Sequence, residues 1–402
     1  MLAAVLPARA SDVADALLRD NEFSLQLRSH YLARDRSAAP DSLGWAAGGW
    51  VVYRSGWMGD RLRLGLTGYT SHKLLGPDDK DGAAVLAPGQ KDYTVLGEAF
   101  GALKLGEATL TAGRFLINQF EVNPQDTRMS PRTFRGAALT GRVSGYDYFA
   151  GYIDKMKVRN SEDFVDVAVS AGAPAGVREP MLLLSLRGSP DESLRIGASV
   201  YHVHNVLASG YADVTWTLPS DGPTTIRLGA QYMRQGSVGD HVLTGSDFGT
   251  WIVGFKGDLV HGPVTLSAIA MQTARDAAYR TPYGSWQGYT SRIINNFHRA
   301  GEQVWAADAV ADFATLGAPG LGLIASATFG REAINAATGT ALPDHTEYNL
   351  SVDYRFTSSA WPQSLRPLWL RVRWARLEQS LGGQTDTVTE RHAILNYTLR
   401  FK

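Results

Sequence analysis

Residues 368–375 read Leu368-Trp369-Leu370-Arg371-Val372-Arg373-Trp374-Ala375. In an extended chain Leu368, Leu370, Val372 and Trp374 share one face, and Arg371 and Arg373 share the other, with Trp369 breaking the polar face at its start. Side chains of a strand alternate between its faces, so strict alternation marks a strand whose faces meet different surroundings. The pattern returns in Tyr348-Asn349-Leu350-Ser351-Val352-Asp353-Tyr354-Arg355-Phe356, in Ile226-Arg227-Leu228-Gly229-Ala230-Gln231-Tyr232, in Arg61-Leu62-Arg63-Leu64-Gly65-Leu66 and in Phe23-Ser24-Leu25-Gln26-Leu27-Arg28. No segment shows a comparably clean helical period.

The chemistry of the two faces separates the possible all-β folds. A soluble sandwich turns a polar face rich in Lys, Glu and Thr toward water. Here the polar face carries Arg, Asp, Asn, Gln, Ser and Gly, and the apolar face often ends in Tyr, Trp or Phe. That distribution suits a transmembrane barrel, apolar toward lipid, polar toward a wet lumen, with aromatic girdles at both interfaces. Closure is then obligatory, because an open edge in hydrocarbon leaves backbone groups unpaired.

Connections give the size. Tight turns fall at Leu105-Gly106-Glu107-Ala108, at Gly188-Ser189-Pro190-Asp191-Glu192, at Leu218-Pro219-Ser220-Asp221-Gly222-Pro223 and at Val260-His261-Gly262-Pro263. Longer polar, Gly-rich stretches at 72–92, 115–135, 155–180, 234–248, 272–302, 332–345 and 378–390 alternate with them. Short periplasmic turns and long extracellular loops are the barrel rhythm. At roughly 22 residues per strand and connection, 402 residues give about 18 antiparallel strands, with 16 inside the error; either encloses an aqueous channel.

Composition agrees. There are 42 Gly, no Cys, and equal numbers of basic and acidic residues, so nothing points to nucleic acid. Absence of Cys fits passage through an oxidising periplasm. Residues 1–10 are apolar and end in Ala8-Arg9-Ala10, a small-x-small pattern expected for the remnant of a secretory signal peptide, with one pore domain over 11–402. At the other end Tyr397, Leu399 and Phe401 share a face, similar to the signal read by the outer-membrane assembly machinery, with Lys402 as a one-residue departure.

Several segments resemble the OprD-type outer-membrane carboxylate channels. Asp126-Thr127-Arg128-Met129-Ser130-Pro131-Arg132-Thr133-Phe134-Arg135-Gly136 resembles that family's constriction-loop pattern. Leu25-Gln26-Leu27-Arg28-Ser29-His30-Tyr31-Leu32-Ala33-Arg34-Asp35 is similar to its first strand. Gly301-Glu302-Gln303-Val304-Trp305, with Asp308 and Asp312, and then Gly317-Ala318-Pro319-Gly320-Leu321 resemble a late loop-to-strand junction and the turn after it. Residues 155–180 match nothing in that pattern. The resemblance implies an 18-stranded monomeric pore or weak oligomer in the bacterial outer membrane, narrowed by inward loops, with a row of lumen arginines that passes small carboxylates, amino acids or cyclic acids. Its further partners would be the lipid bilayer and lipopolysaccharide.

The candidate site follows from the faces. Arg makes up 31 of the 39 basic residues, and its planar fork matches a carboxylate two bonds at a time. Alternation puts Arg28, Arg61, Arg63, Arg227, Arg371, Arg373 and Arg400 on polar faces, as a substrate-binding row. Sequential weak contacts let a solute move on, where one deep site would trap it. The constriction would carry Asp126, Arg128, Arg132 and Arg135, either setting a transverse field or pinning the loop to the wall. Tyr283, Tyr289, His298 and Arg299 in 272–302 would form an aromatic and basic vestibule, or pack the loop on itself. No catalytic motif appears, His202 and His204 lack a third convergent ligand, and no cofactor is expected. Two other readings stay open: a barrel enzyme of the outer membrane, and a soluble all-β carbohydrate-binding protein.

Overall fold

The computed structural model describes residues 10–401. The expected remnant at 1–10 lies outside the described residues except for Ala10, which opens helix α1 (Ala10–Leu18); Lys402 lies outside them too. From Glu22 onward the chain forms 18 antiparallel spanning strands closed into a barrel, plus one extra two-residue strand, Val165–Asp166. Closure is direct. Strand β1 (Glu22–Arg36) pairs with β2 (Ser42–Arg54) on one side and with the last strand, β18 (Gln384–Phe401), on the other. At that seam the rings of Phe23 and Phe401 lie 5.3 Å apart.

The faces sort as the alternation requires. On β17 (Leu368–Leu381), Leu370, Val372 and Trp374 are exposed to the surroundings of the barrel, while Arg371 and Arg373 sit half-buried on the lumen side. Leu182, Leu184 and Leu186 on β8 (Met181–Gly188) repeat the outward series. Buried apolar clusters instead lie inside the barrel, where inward loops pack on the wall: one joins Phe115, Phe134, Phe149 and Tyr283, another Tyr211, Tyr279, Trp286 and Phe297.

The four expected tight turns are present, and the long connections emerge at the opposite end. One expected loop is not there. Residues 378–390 continue β17 and β18 through a two-residue hairpin, with Gly382 and Gly383 at φ 59° and 83°. Two positive-φ residues make the tight turn whose twist matches paired strands, so the polar stretch is strand projecting past the apolar belt. The expected stretch 234–248 is likewise shortened, because β11 (Thr224–Ser237) runs on to Ser237. One glycine is dictated by close approach: Gly49 in β2 has φ +136°, and a Cβ there would lie 1.8 Å from the Gln26 carbonyl oxygen. Helix α1 docks at the short-turn end, where the Gly56 amide donates to Ala16 O at 2.7 Å and the Tyr53 hydroxyl to Leu17 O at 2.9 Å.

Candidate translocation pathway

Register stacks arginines on one wall. Ser351 on β16 (Asp344–Arg355), Arg373 and His392 are direct neighbours across three strands. The next inward row toward the short-turn end holds Asp353, Arg371 and Ile394, and the next Arg355, Trp369, Asn396 and Arg28. Successive inward rows are two residues apart, roughly 7 Å along a strand. Arg34 and Glu390 face each other further toward the long-loop end.

The guanidinium groups on this wall are not equivalent. Arg371 is held by Asp353 through Nε at 2.7 Å and Nη2 at 3.0 Å, and Trp369, stacked 4.8 Å away, donates to the same carboxylate at 2.7 Å. Arg34 is paired with Glu390 at 2.5 Å. Arg28, 8 % exposed, donates through Nε to Asn396 at 2.7 Å and lies over the Trp50 ring. Among the described residues Arg373 has one long contact, Nε to Ser351 Oγ at 3.3 Å, and retains open donors. Across the lumen Asp213 on β10 (Leu207–Thr217) and Asp258 on β12 (Gly249–His261) face inward, Asp258 paired with Lys256 at 3.0 Å, while Asp308 on β14 (Gln303–Asp312), paired with Arg292 at 2.8 Å, lines one recess with Arg371 and Arg373.

The connection 116–132 crosses between these walls. Its Asp126 reaches Arg28 on β1 at 2.6 Å, and its Glu121 accepts from Ser209 Oγ on β10 at 3.0 Å and from the Tyr279 hydroxyl. Arg128 is buried and donates to Ala83 O at 2.9 Å. Burial, with Arg159 near, lowers it to about 9, and burial lowers Arg132, which donates to Pro282 O, to about 10. A second inward connection, 274–302, locks onto the first: Asn123 Nδ2 donates to Ser285 O at 3.2 Å and the Ser285 amide returns to Asn123 Oδ1 at 2.8 Å. Glu347 on β16 secures it to the wall, accepting from the Ile294 and Asn295 amides at 2.9 Å each.

The chain is thus a closed barrel narrowed by two interlocked inward loops. The family model described as outer membrane porin, OprD family, matches residues 15–401. This chain belongs to the OprD family of outer-membrane porins. Among solved structures, Pseudomonas aeruginosa OccK9 (OpdG) is 25% identical, with a TM-score of 0.84 over 96% of this chain and 100% of that one. Pseudomonas aeruginosa OpdK, solved with vanillate, is 21% identical, with a TM-score of 0.82 over 96% and 100%. A BenF-like porin from Pseudomonas fluorescens Pf-5 is 17% identical, with a TM-score of 0.84 over 96% and 100%. No curated protein sequence matches. The OprD porin is thus a substrate-specific channel of the bacterial outer membrane.

The structure brings some of the sequence-nominated residues together and disperses others. Arg28, Arg371 and Arg373 share one wall. Arg61 is exposed in the turn before β3 (Leu62–Leu75). Arg63 pairs with Glu22 at 3.2 Å, Arg400 ends β18 exposed, and Arg227 stands across the register from Asp258, so these four lie toward the short-turn mouth and not in the same row. Arg135 is not at the constriction; it sits on β6 (Thr133–Val143), beyond the loop, paired with Asp154. Of the two alternatives for 272–302, most of the named residues follow the packed one. Tyr283 is buried and donates to Val167 O at 3.2 Å, and the His298 ring lies tilted against Trp286 at 5.1 Å, burial lowering its pKa to about 4. Arg299 is tied to Glu302 at 2.6 Å, and only Tyr289 of the four stays half-buried without such a tie. Packing against the wall claims these side chains because a loop folded into the lumen must bury its own apolar surface.

Alternation could have found Arg34, which follows Arg28 on the same face. It could have found Glu390 only with β18 recognised as strand. The tie of Glu121 to Ser209 joins residues 88 apart and has no local signature.

Proposed function

We propose that this porin takes up small carboxylate-bearing nutrients by diffusion, handed along the arginine wall. The carrying observation is Arg373, a lumen guanidinium with open donors set between the satisfied Arg371 and the Arg34–Glu390 pair. Charge-assisted forks attract a carboxylate, and sharing those donors with protein acceptors keeps each contact weak enough to release it. The constriction loop, tied to Arg28 on the arginine wall through Asp126 and to Ser209 across the lumen through Glu121, carries both kinds of charge, which supports orientation of solutes that carry both. Vanillate, the molecule present with the OpdK relative, is of the proposed class. Liposomes holding the purified porin should swell faster in an organic carboxylate than in a neutral solute of equal size. Replacing Arg371 and Arg373 together by Gln should remove that preference and leave K⁺ conductance in a planar bilayer largely intact; equal loss of both would overturn this reading.

A further inference from the structure

The outward face of β11 runs Ile226, Leu228, Ala230, Tyr232 and then Arg234, which is exposed and has no side-chain hydrogen-bond or ion-pair partner among the described residues. It stands three residues from the long-loop end of the strand, with Trp251 its direct neighbour on β12 and Gly210 on β10. Trp305 on β14 and Tyr348 on β16 are likewise outward and close to the long-loop ends of their strands, so this is the level of the outer aromatic girdle. A lipid-facing arginine is costly at mid-membrane and tolerable at such an interface, where an anion can meet it.

The wall is hollow at the same point. Ala208, Gly210, Gly236 and Gly249 surround Arg234 and leave a recess of about 450 Å³. Backbone geometry does not require two of those glycines. Neither Gly210 nor Gly249 has positive φ, and a Cβ on either would meet no heavy atom within 4 Å. Their missing side chains therefore create depth and relieve no clash. Phe248 lines the recess, with the exposed Arg280 guanidinium 5.3 Å from its ring. Asp247, also in the lining, has its Oδ1 engaged by Ser237 Oγ at 2.7 Å.

We propose that this recess binds a phosphate-bearing glycolipid of the outer leaflet. Arg234 would hold the phosphate, and an acyl chain would lie along the shallow track of Gly210 and Ala212 toward the membrane centre. Charge complementarity selects this occupant: the recess offers Arg234, a cation without a partner among the described residues, at headgroup depth, the one carboxylate of the recess already engaged by Ser237, above an apolar wall.

The test uses the folded full chain in detergent, with bis-phosphorylated lipid A, its dephosphorylated form and inorganic phosphate as separate probes. Native mass spectrometry reads retention, and heat-modifiable gel migration reads thermal stability. Wild type should retain the phosphorylated lipid and melt at higher temperature with it. Arg234→Gln and Gly210→Leu should each retain roughly fivefold less, with unchanged conductance, since both positions face away from the lumen. Equal retention of the dephosphorylated form, undiminished retention by Arg234→Gln, or a full stability gain from inorganic phosphate alone would overturn the proposal. If Arg234→Gln does not fold, the Gly210→Leu arm decides it, because that change keeps the charge and fills the space.

Discussion

Arg28 and Asp126 form a two-pronged pair, Nη1 to Oδ1 at 2.6 Å and Nη2 to Oδ2 at 3.2 Å, and this pair fastens the constriction loop to the basic wall. Arg28 also donates to the Arg128 carbonyl at 2.5 Å, so one guanidinium holds two points of the loop. The carboxylate is 41% exposed, and water weakens its share of the attachment.

Asp126→Asn should therefore loosen the loop without unfolding the barrel. Loss of a partly exposed charge-assisted pair costs about 1 kcal/mol, enough to raise the released population roughly fivefold. Single-channel recordings should show larger and noisier open current, and heat-modifiable migration should barely shift. A quiet channel of unchanged conductance would mean that the backbone contacts hold the loop alone.

On the opposite wall, burial pushes the Glu121 carboxyl up to about 7, against hydrogen bonds from Tyr279 and Ser209 that favour its charged form. A carboxyl raised in the folded state contributes stability that is fully present below its ordinary value near 4.5 and is lost as pH rises through about 7. The loop anchor should thus hold in mild acid and weaken above neutrality. Current noise recorded across pH 5 to 9 is expected to rise through about 7 in wild type and stay flat in Glu121→Gln. An identical profile in both would remove Glu121 as the cause.

The barrel was legible in the sequence because lipid on one side and water on the other impose alternation on every spanning strand. Leu368–Ala375 displays both faces within eight residues. The loops were less legible, since a chain folded into the lumen obeys no such period. For Tyr283 and His298 the sequence leaves a vestibule and a self-packed loop equally open, because nothing local reveals that Val167 O and Trp286 await them. Gly382 and Gly383 were read as part of a long loop, although paired positive-φ glycines close the tightest hairpin. That one reading hid Glu390, and with it the partner of Arg34.

Arg371 and Arg373, adjacent on the same face, should behave differently when changed singly. Arg373→Gln removes open donors and should lower carboxylate permeation several-fold while K⁺ conductance holds. Arg371→Gln leaves Asp353 with only the Trp369 donor and should lower thermal stability, by about 1–3 kcal/mol for the unpaired carboxylate. Adding Asp353→Asn to Arg371→Gln should restore much of that stability. If the double variant is as unstable as the single, the pair is not what Arg371 supplies.

Gly284 makes a last, steric prediction about how the two inward loops are joined. A Cβ at this position would lie 2.5 Å from Asn123 Nδ2 and 2.6 Å from Glu121 O, both in the constriction loop. Backbone atoms cannot yield as a flexible side-chain end does, so even Ala must push the loops apart. That movement strains the Asn123–Ser285 bonds at 3.2 and 2.8 Å and shifts Glu121 relative to Ser209. Gly284→Ala should widen the channel, seen as higher conductance and weaker discrimination between a carboxylate and a neutral solute. It should do so without altering the outward wall, so heat-modifiable migration remains intact. Unchanged conductance in a correctly folded Gly284→Ala variant would show that the loops separate freely and that their junction does not set the width of the pore.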